Sequence, residues 1–297
     1  MRGELNGKTN DQLKNIHFEN SDLLWDYLIN MQRRENRFKE LIYRGHADAE
    51  WLLIPTIYRF KYTSGLNFPK YTTQIAEQQL KDEFYLLKHF IYGCDEVGVS
   101  VPNDSIEFRN RNLSDIKIQE YCRQPSTWPS DELIEPMVMA RLHGLPTRLL
   151  DWSRNPFVAV YFAVTDALRM QNRWLSGQKI AIFVLSIDKE FRDSNNQFRI
   201  LHVRGSISTN VVAQQGLFTL NPIIEDRKEP MVIKSFEDFL NDQSSLVKLT
   251  IPIEESLNLF YLCNKFNCNA ARLFPNADGA CMYSIDQYLS MEAYRVS

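Results

Sequence analysis

The sequence predicts an α+β protein in which a β-sheet is flanked by helices and the N-terminal half is largely helical. Three observations carry this. An amphipathic pattern of helical period runs from residue 72 to about residue 97, with Ile75, Leu80, Phe84, Leu87 and Ile91 on one face. Short apolar, strand-like runs gather downstream, at residues 180–187, 211–220 and 246–251. No repeat, low-complexity tract or linker divides the 297 residues, a length that fits one large domain or two small ones.

The elements follow in chain order. Ser21 and Asp22 mark a helix start, Leu24, Tyr27, Leu28 and Met31 supply its apolar face, and the charged run 33–39 ends it. Residues 41–43 form a short buried strand that delivers Arg44 and Gly45 at its end, and a second apolar run, 51–54, stops at Pro55. Beyond the long helix, Pro125, Pro129 and Pro136 punctuate a loop before a helix that holds Met137, Met139 and Leu142 as core filling. Residues 147–152 are short, apolar and extended. Asn155-Pro156 then opens a helix through Phe162 and Ala167, because proline's missing N–H would be unpaired in a first turn anyway. Ser206 to Thr209 read as a loop before the Gln214-Gln215 strand; a helix spans about 254–266, and a shorter one 277–282. One domain over residues 15–290, preceded by a polar segment 1–14, is the economical reading.

Composition excludes several classes. The chain is 44% hydrophobic and 24% charged with a net charge of −3, an ordinary globular balance with no global field for nucleic acid or an anionic membrane. Basic Arg109, Arg111, Lys117 and Arg123 lie near aromatics, but Asp104, Glu107, Asp115 and Glu120 dilute them, so nucleic acid is not an expected partner. No run approaches the roughly 18 apolar residues of a membrane helix, and the start lacks a signal-peptide block. The 5 cysteines are scattered without C-x-x-C or zinc spacing, which fits reduced thiols, a cytoplasmic location and no metal. Phosphate-loop, dinucleotide-fold, zinc-protease and nucleophile-elbow motifs are all missing.

Two segments are dense in residues that are costly to place by accident. One is Tyr43-Arg44-Gly45-His46, continued by the run from Trp51 to Arg59. The other runs from Arg141 through His143-Gly144-Leu145-Pro146-Thr147-Arg148 and Leu149-Leu150-Asp151-Trp152 to Asn155-Pro156 and Ala163. These runs resemble the FRG domain family, named for its (F/Y)RG motif and marked by HGLPTR ending in LLDW. Ala213 to Phe218, and Leu273-Phe274-Pro275 with Asp278-Gly279, are similar to later elements of that family. The resemblance spans roughly residues 15–290.

FRG domains are in turn distantly similar to the ADP-ribosyltransferase group, which implies a central mixed sheet around an NAD+ pocket. By that resemblance Arg44 takes the place of the first-strand arginine, residues 149–163 supply the second strand and its helix, and Gln214 or Gln215 stands where the group carries a glutamate. Glutamine orients a hydroxyl but carries no charge, so Asp151 is the substitute carboxylate and His143 a possible acid, base or ribose contact. Arg44, His143, Asp151 and Gln215 are the candidate catalytic residues. Tyr43, Gly45, Arg148, Trp152 and Gln214 are the candidate substrate-binding residues. An arginine pairs bidentately with phosphate or ribose as lysine cannot, and Gly45 would admit the ligand to the backbone.

Structural readings stand beside these. Arg44 would pair with Asp151 across the sheet, His143 would meet a helix C-terminus, Asp151 would cap the following helix, and Trp152 would be core. Two functions remain open: an enzyme that hydrolyses NAD+ or transfers ADP-ribose to a protein acceptor, in the setting of a toxin or anti-phage effector, or an inactive nucleotide-sensing or protein-interaction module.

Overall fold

Among the described residues, seven strands form one mixed sheet, in the spatial order Lys14–His17 (β1), Leu246–Pro252 (β7), Lys179–Ile187 (β4), Glu40–His46 (β2), Leu149–Ser153 (β3), Gly216–Leu220 (β6) and Arg199–Leu201 (β5). The computed structural model describes residues 13–34, 39–63, 75–194, 198–241 and 243–296. β1 runs parallel to β7, and the other pairings are antiparallel. The helices are α1 (Ser21–Arg34), α2 (Thr56–Thr63), α3 (Ala76–Glu96), α4 (Ile106–Asn112), α5 (Asp115–Arg123), α6 (Asp131–Leu142), α7 (Pro156–Arg169), α8 (Lys189–Ser194), α9 (Thr209–Ala213), α10 (Ser256–Lys265), α11 (Ala270–Leu273) and α12 (Ala277–Val296). No helix among the described residues is long and apolar enough to cross a membrane.

The central strands are covered on both faces, which explains their continuous apolar runs. Along β4, Ile182 and Val184 face a core shared with α1, α7 and α10, while Ala181, Phe183 and Leu185 face a second core with Trp152, Phe236 and Phe239. That alternation is the two-residue period of a strand. A third core packs the helices α3 to α6 on β3 and β6 through Phe84, Leu87, Trp128, Met137, Leu149 and Phe218.

The start of α7 is written locally: Asn155 Oδ1 accepts the Phe157 N–H at 3.0 Å and Pro156 fills the first turn. α7 then lies directly on β2. A β-carbon at Gly45 would sit 1.9 Å from the Ala159 carbonyl oxygen and 2.9 Å from the Ala163 β-carbon, so only glycine permits this approach.

Several expectations are corrected. Gln214 and Gln215 do not lie in a strand: Ser208 Oγ accepts the Asn210 N–H and starts α9, so the pair falls in the turn before β6, with Gln215 at φ 48. The cap outweighs the β-branched Val211-Val212 pair. Pro136 lies within α6 rather than in a loop. It removes the bond to the Glu132 carbonyl, and burial of Leu133, Ile134, Met137 and Val138 around it offsets that loss. The last helix, expected to end at residue 282, continues to Val296. Residues 1–12, 35–38 and 72–74, on which parts of the N-terminal segment, the first helix end and the long helix were expected, lie outside the described residues.

Candidate functional site

β2 and β3 are joined by a single register pair, Tyr43 with Ser153, and then part. The gap opens a cleft of about 910 Å³, walled by the ends of both strands, α7, the 50–54 turn and the ends of α6, α9 and α11. Where a backbone ladder would have continued, the Arg44 guanidinium bridges the strands. Its Nη1 donates to the Asp151 main-chain oxygen at 2.7 Å and to Asp151 Oδ2 at 3.4 Å. Arg141, from the last turn of α6, donates from Nη2 to the same Oδ2 at 2.7 Å. One half-buried carboxylate thus holds two guanidiniums.

His46 completes the arrangement. It sits two residues beyond Arg44 on β2, hence on the same face, and its Nε2 accepts the Arg44 Nε–H at 3.1 Å. With Nε2 accepting, the proton resides on Nδ1, which donates to the Trp51 carbonyl at 3.3 Å. Burial and the adjacent Arg44 charge push the His46 pKa well below the usual histidine value. Burial alone would raise the Asp151 carboxyl, but the Arg141 and Arg44 guanidiniums outweigh it and hold Asp151 below the usual carboxylate range. A second carboxylate, Asp166 of α7, lies at the rim of the cleft with its side chain 56% exposed; partial desolvation raises its pKa despite Arg169, Arg44 and Arg59. Arg169 donates both to Asp166, at 3.0 Å, and to the buried Asp286 of α12, at 2.7 Å.

Cationic groups therefore meet aromatic edges in one opening. Arg44, Arg59 and Arg141 face a space bordered by Phe162, Phe274 and the half-exposed Trp51. Guanidiniums suit phosphate and ribose oxygens, and the rings suit a planar base. Among the described residues, no group of three or more His, Cys, Asp or Glu side chains converges to hold a metal ion.

Of the residues expected from sequence, Arg44, Asp151, Tyr43, Gly45, Trp152 and Gln214 line the cleft; His143, Arg148 and Gln215 do not. His143 is the exposed C-cap of α6. Arg148 is fully buried and donates from Nε to Glu83 Oε2 at 2.7 Å; the same carboxylate accepts from Trp128 and Gln79. Gln215 is exposed, and its carbonyl accepts the Arg154 N–H. Gln214 spends its amide on the Leu273 carbonyl at 3.2 Å. Trp152 is mainly core, its indole N–H bonded to Thr219.

Sequence reasoning missed His46, Arg59, Arg141 and Asp166 as cleft residues. Strand alternation from Arg44 marks His46, and the four-residue helical step from Phe162 marks Asp166. Residues two apart on a helix point about 200° apart, so Arg141 and His143 cannot both enter, but which one does is not a local property. Arg59 carries no signal of its own.

The FRG domain sequence model matches residues 39–172, from β2 to just beyond α7. This chain carries an FRG domain. The match holds both motif segments and with them Arg44, His46, Arg141, Asp151 and Asp166, while Gln214 and Phe274 lie beyond it. No curated protein and no solved structure matches the chain. The FRG domain therefore supplies most of the cleft lining, and Asn210, Gln214 and Phe274 complete it.

Proposed function

We propose that the cleft binds NAD+ or a closely related nucleotide and cleaves the bond between nicotinamide and ribose, passing ADP-ribose to water or to a protein acceptor. The observation that carries this reading is the pair of guanidiniums, Arg44 and Arg141, held on one Asp151 carboxylate at the bottom of a cleft with aromatic edges. Guanidinium hydrogens not spent on Asp151 or His46 seat the pyrophosphate. As the glycosidic bond breaks, its electron pair leaves with neutral nicotinamide and positive charge develops on the ribose, where ionised Asp151 stabilises it. Water or an acceptor hydroxyl then bonds to the ribose carbon and gives up its proton. Asp166, a carboxylate on the cleft lining with its side chain open to solvent, is placed to receive that proton. A toxin or anti-phage effector is the setting in which such consumption of NAD+ has a purpose.

A second reading has its own support. Two guanidiniums already claim Asp151 Oδ2, and the Gln214 side chain is uncharged and engaged elsewhere. A cleft so compensated would bind the nucleotide without turning it over, as a sensing or protein-interaction module.

Incubation of the protein with NAD+, with nicotinamide release and calorimetric binding followed together, separates these readings. Release that is lost in Arg44→Ala and Asp151→Asn supports cleavage. Binding without release supports the sensor. Neither binding nor release removes NAD+.

A further inference from the structure

The inner face of α12 is committed to the fold. Gly279 packs on the Phe274 backbone, Asp286 accepts from Tyr161 Oη at 2.6 Å and from Arg169, and Ser290 and Ala293 are buried. Because Asp286 turns inward, the stretch from residue 279 to 291 presents no charged side chain to solvent. What it presents instead is apolar: Cys281 is exposed, and Ile285, Tyr288 and Met291 are 48%, 61% and 59% exposed. A large, mostly apolar outer stripe on a helix is a feature of interaction surfaces.

The spacing of this stripe is more specific than its hydrophobicity. Cys281, Ile285 and Tyr288 follow one another at four and three residues, the apolar centre of a coiled-coil-like seam, and Asp278, Glu292 and Arg295 extend the same three-four spacing with charged ends. The seam is also its own complement when reversed. An antiparallel copy with its two-fold axis between residues 286 and 287 sets Ile285 against Tyr288, Cys281 against Glu292, and Asp278 against Arg295. Each seam residue meets another seam residue and the apolar pair falls at the axis; at both ends Asp278 meets an Arg295 guanidinium whose Nη1 also donates to Glu292 of its own helix, leaving its other N–H groups for the partner. A parallel copy would instead oppose Asp278 to Asp278 and Arg295 to Arg295.

We propose that α12 is a homodimer interface, in which two copies of this chain pair antiparallel along the 278–295 seam. The seam is a single helix pair, small for a protein interface, and the dimer dissociates on dilution. The proposal does not depend on what occupies the cleft.

Sedimentation velocity on the full chain over a concentration series tests it. The expected result is a mass that rises twofold with concentration in the wild type and stays monomeric in Ile285→Glu and in Tyr288→Lys, both at exposed positions and both with unchanged circular dichroism. Asp278→Arg and Arg295→Asp should each weaken the dimer, and the double exchange should restore it. A wild type that is monomeric throughout would overturn the proposal, as would a dimer that survives Ile285→Glu and Tyr288→Lys. Well-folded single charge variants of undiminished affinity, or a double exchange that fails to recover, would overturn the antiparallel register.

Discussion

Arg44 Nη1 donates to the main-chain oxygen of Asp151 at 2.7 Å where β2 and β3 separate. A side chain thereby does the work of a ladder bond, satisfying a carbonyl that the diverging backbone leaves without a strand partner. The two readings of Arg44, a cross-sheet pair and a ligand group, are both served, because a guanidinium has five donors and this bridge uses only some of them.

Arg44→Lys should therefore cost both stability and ligand binding. Lysine keeps the charge but cannot hold Asp151 and His46 together, and loss of bonds to a charged partner costs about 1.5–3 kcal/mol. Chemical denaturation measures the first effect, and calorimetry with nucleotide the second. A lysine variant as stable as the wild type would refute the bridging role.

His46 gives the site a pH dependence of fixed sign. Its folded pKa lies below the ordinary histidine value, so the unfolded chain binds the proton more readily. Its contribution to stability is complete above about pH 6.5 and declines as pH falls below that, by at most about 1.4 kcal/mol per pH unit. The neighbouring charges are Arg44, Arg59 and Lys248, all opposing protonation, with Asp151 beyond the Arg44 guanidinium. In His46→Gln, which can accept from Arg44 and donate to Trp51 without titrating, the slope of stability between pH 7 and 5 should flatten. An unchanged slope would assign the acid sensitivity to other groups.

Gly45→Ala is expected to be severely destabilising. The new β-carbon meets the Ala159 carbonyl at 1.9 Å, a backbone atom of a buried helix that cannot swing aside. Ordinary overpacking costs about 1–3 kcal/mol, and this substitution should lie at or above the top of that range. Thermal unfolding, or absence of soluble protein beside a well-behaved Gly93→Ala control, would register it; Gly93 faces open space.

Arg148 belongs to the scaffold in this structure, so its substitution should be read in stability. Arg148→Met strands the Glu83 carboxylate in the core, at a cost of about 3–5 kcal/mol, and adding Glu83→Leu should recover part of it. Nucleotide affinity of the folded fraction should be unaffected. Lost affinity at retained stability would return Arg148 to the site.

Much of the framework is legible in the chain. The Asn155-Pro156 start of α7, the apolar runs that became β4 and β7, and the two motif segments that enter the cleft are all local signals. The Gln214-Gln215 turn was misread because two β-branched residues precede it and the Ser208 cap is a single hydrogen bond. The length of α12 was missed because half of its surface faces solvent with apolar residues, which blurs the expected periodicity.

Residue types, spacing and caps alone determined the start of α7, the runs that became β4 and β7, and which segments hold the chemistry-bearing side chains, since these depend on neighbours within a few positions. Tertiary structure alone decided that Arg141 rather than His143 reaches Asp151, that Arg148 turns inward to Glu83, and that His46 and Asp166 join the cleft. Those outcomes depend on how α6 and α7 cross the sheet and on where β2 and β3 part, geometry set between separate elements that no local pattern encodes.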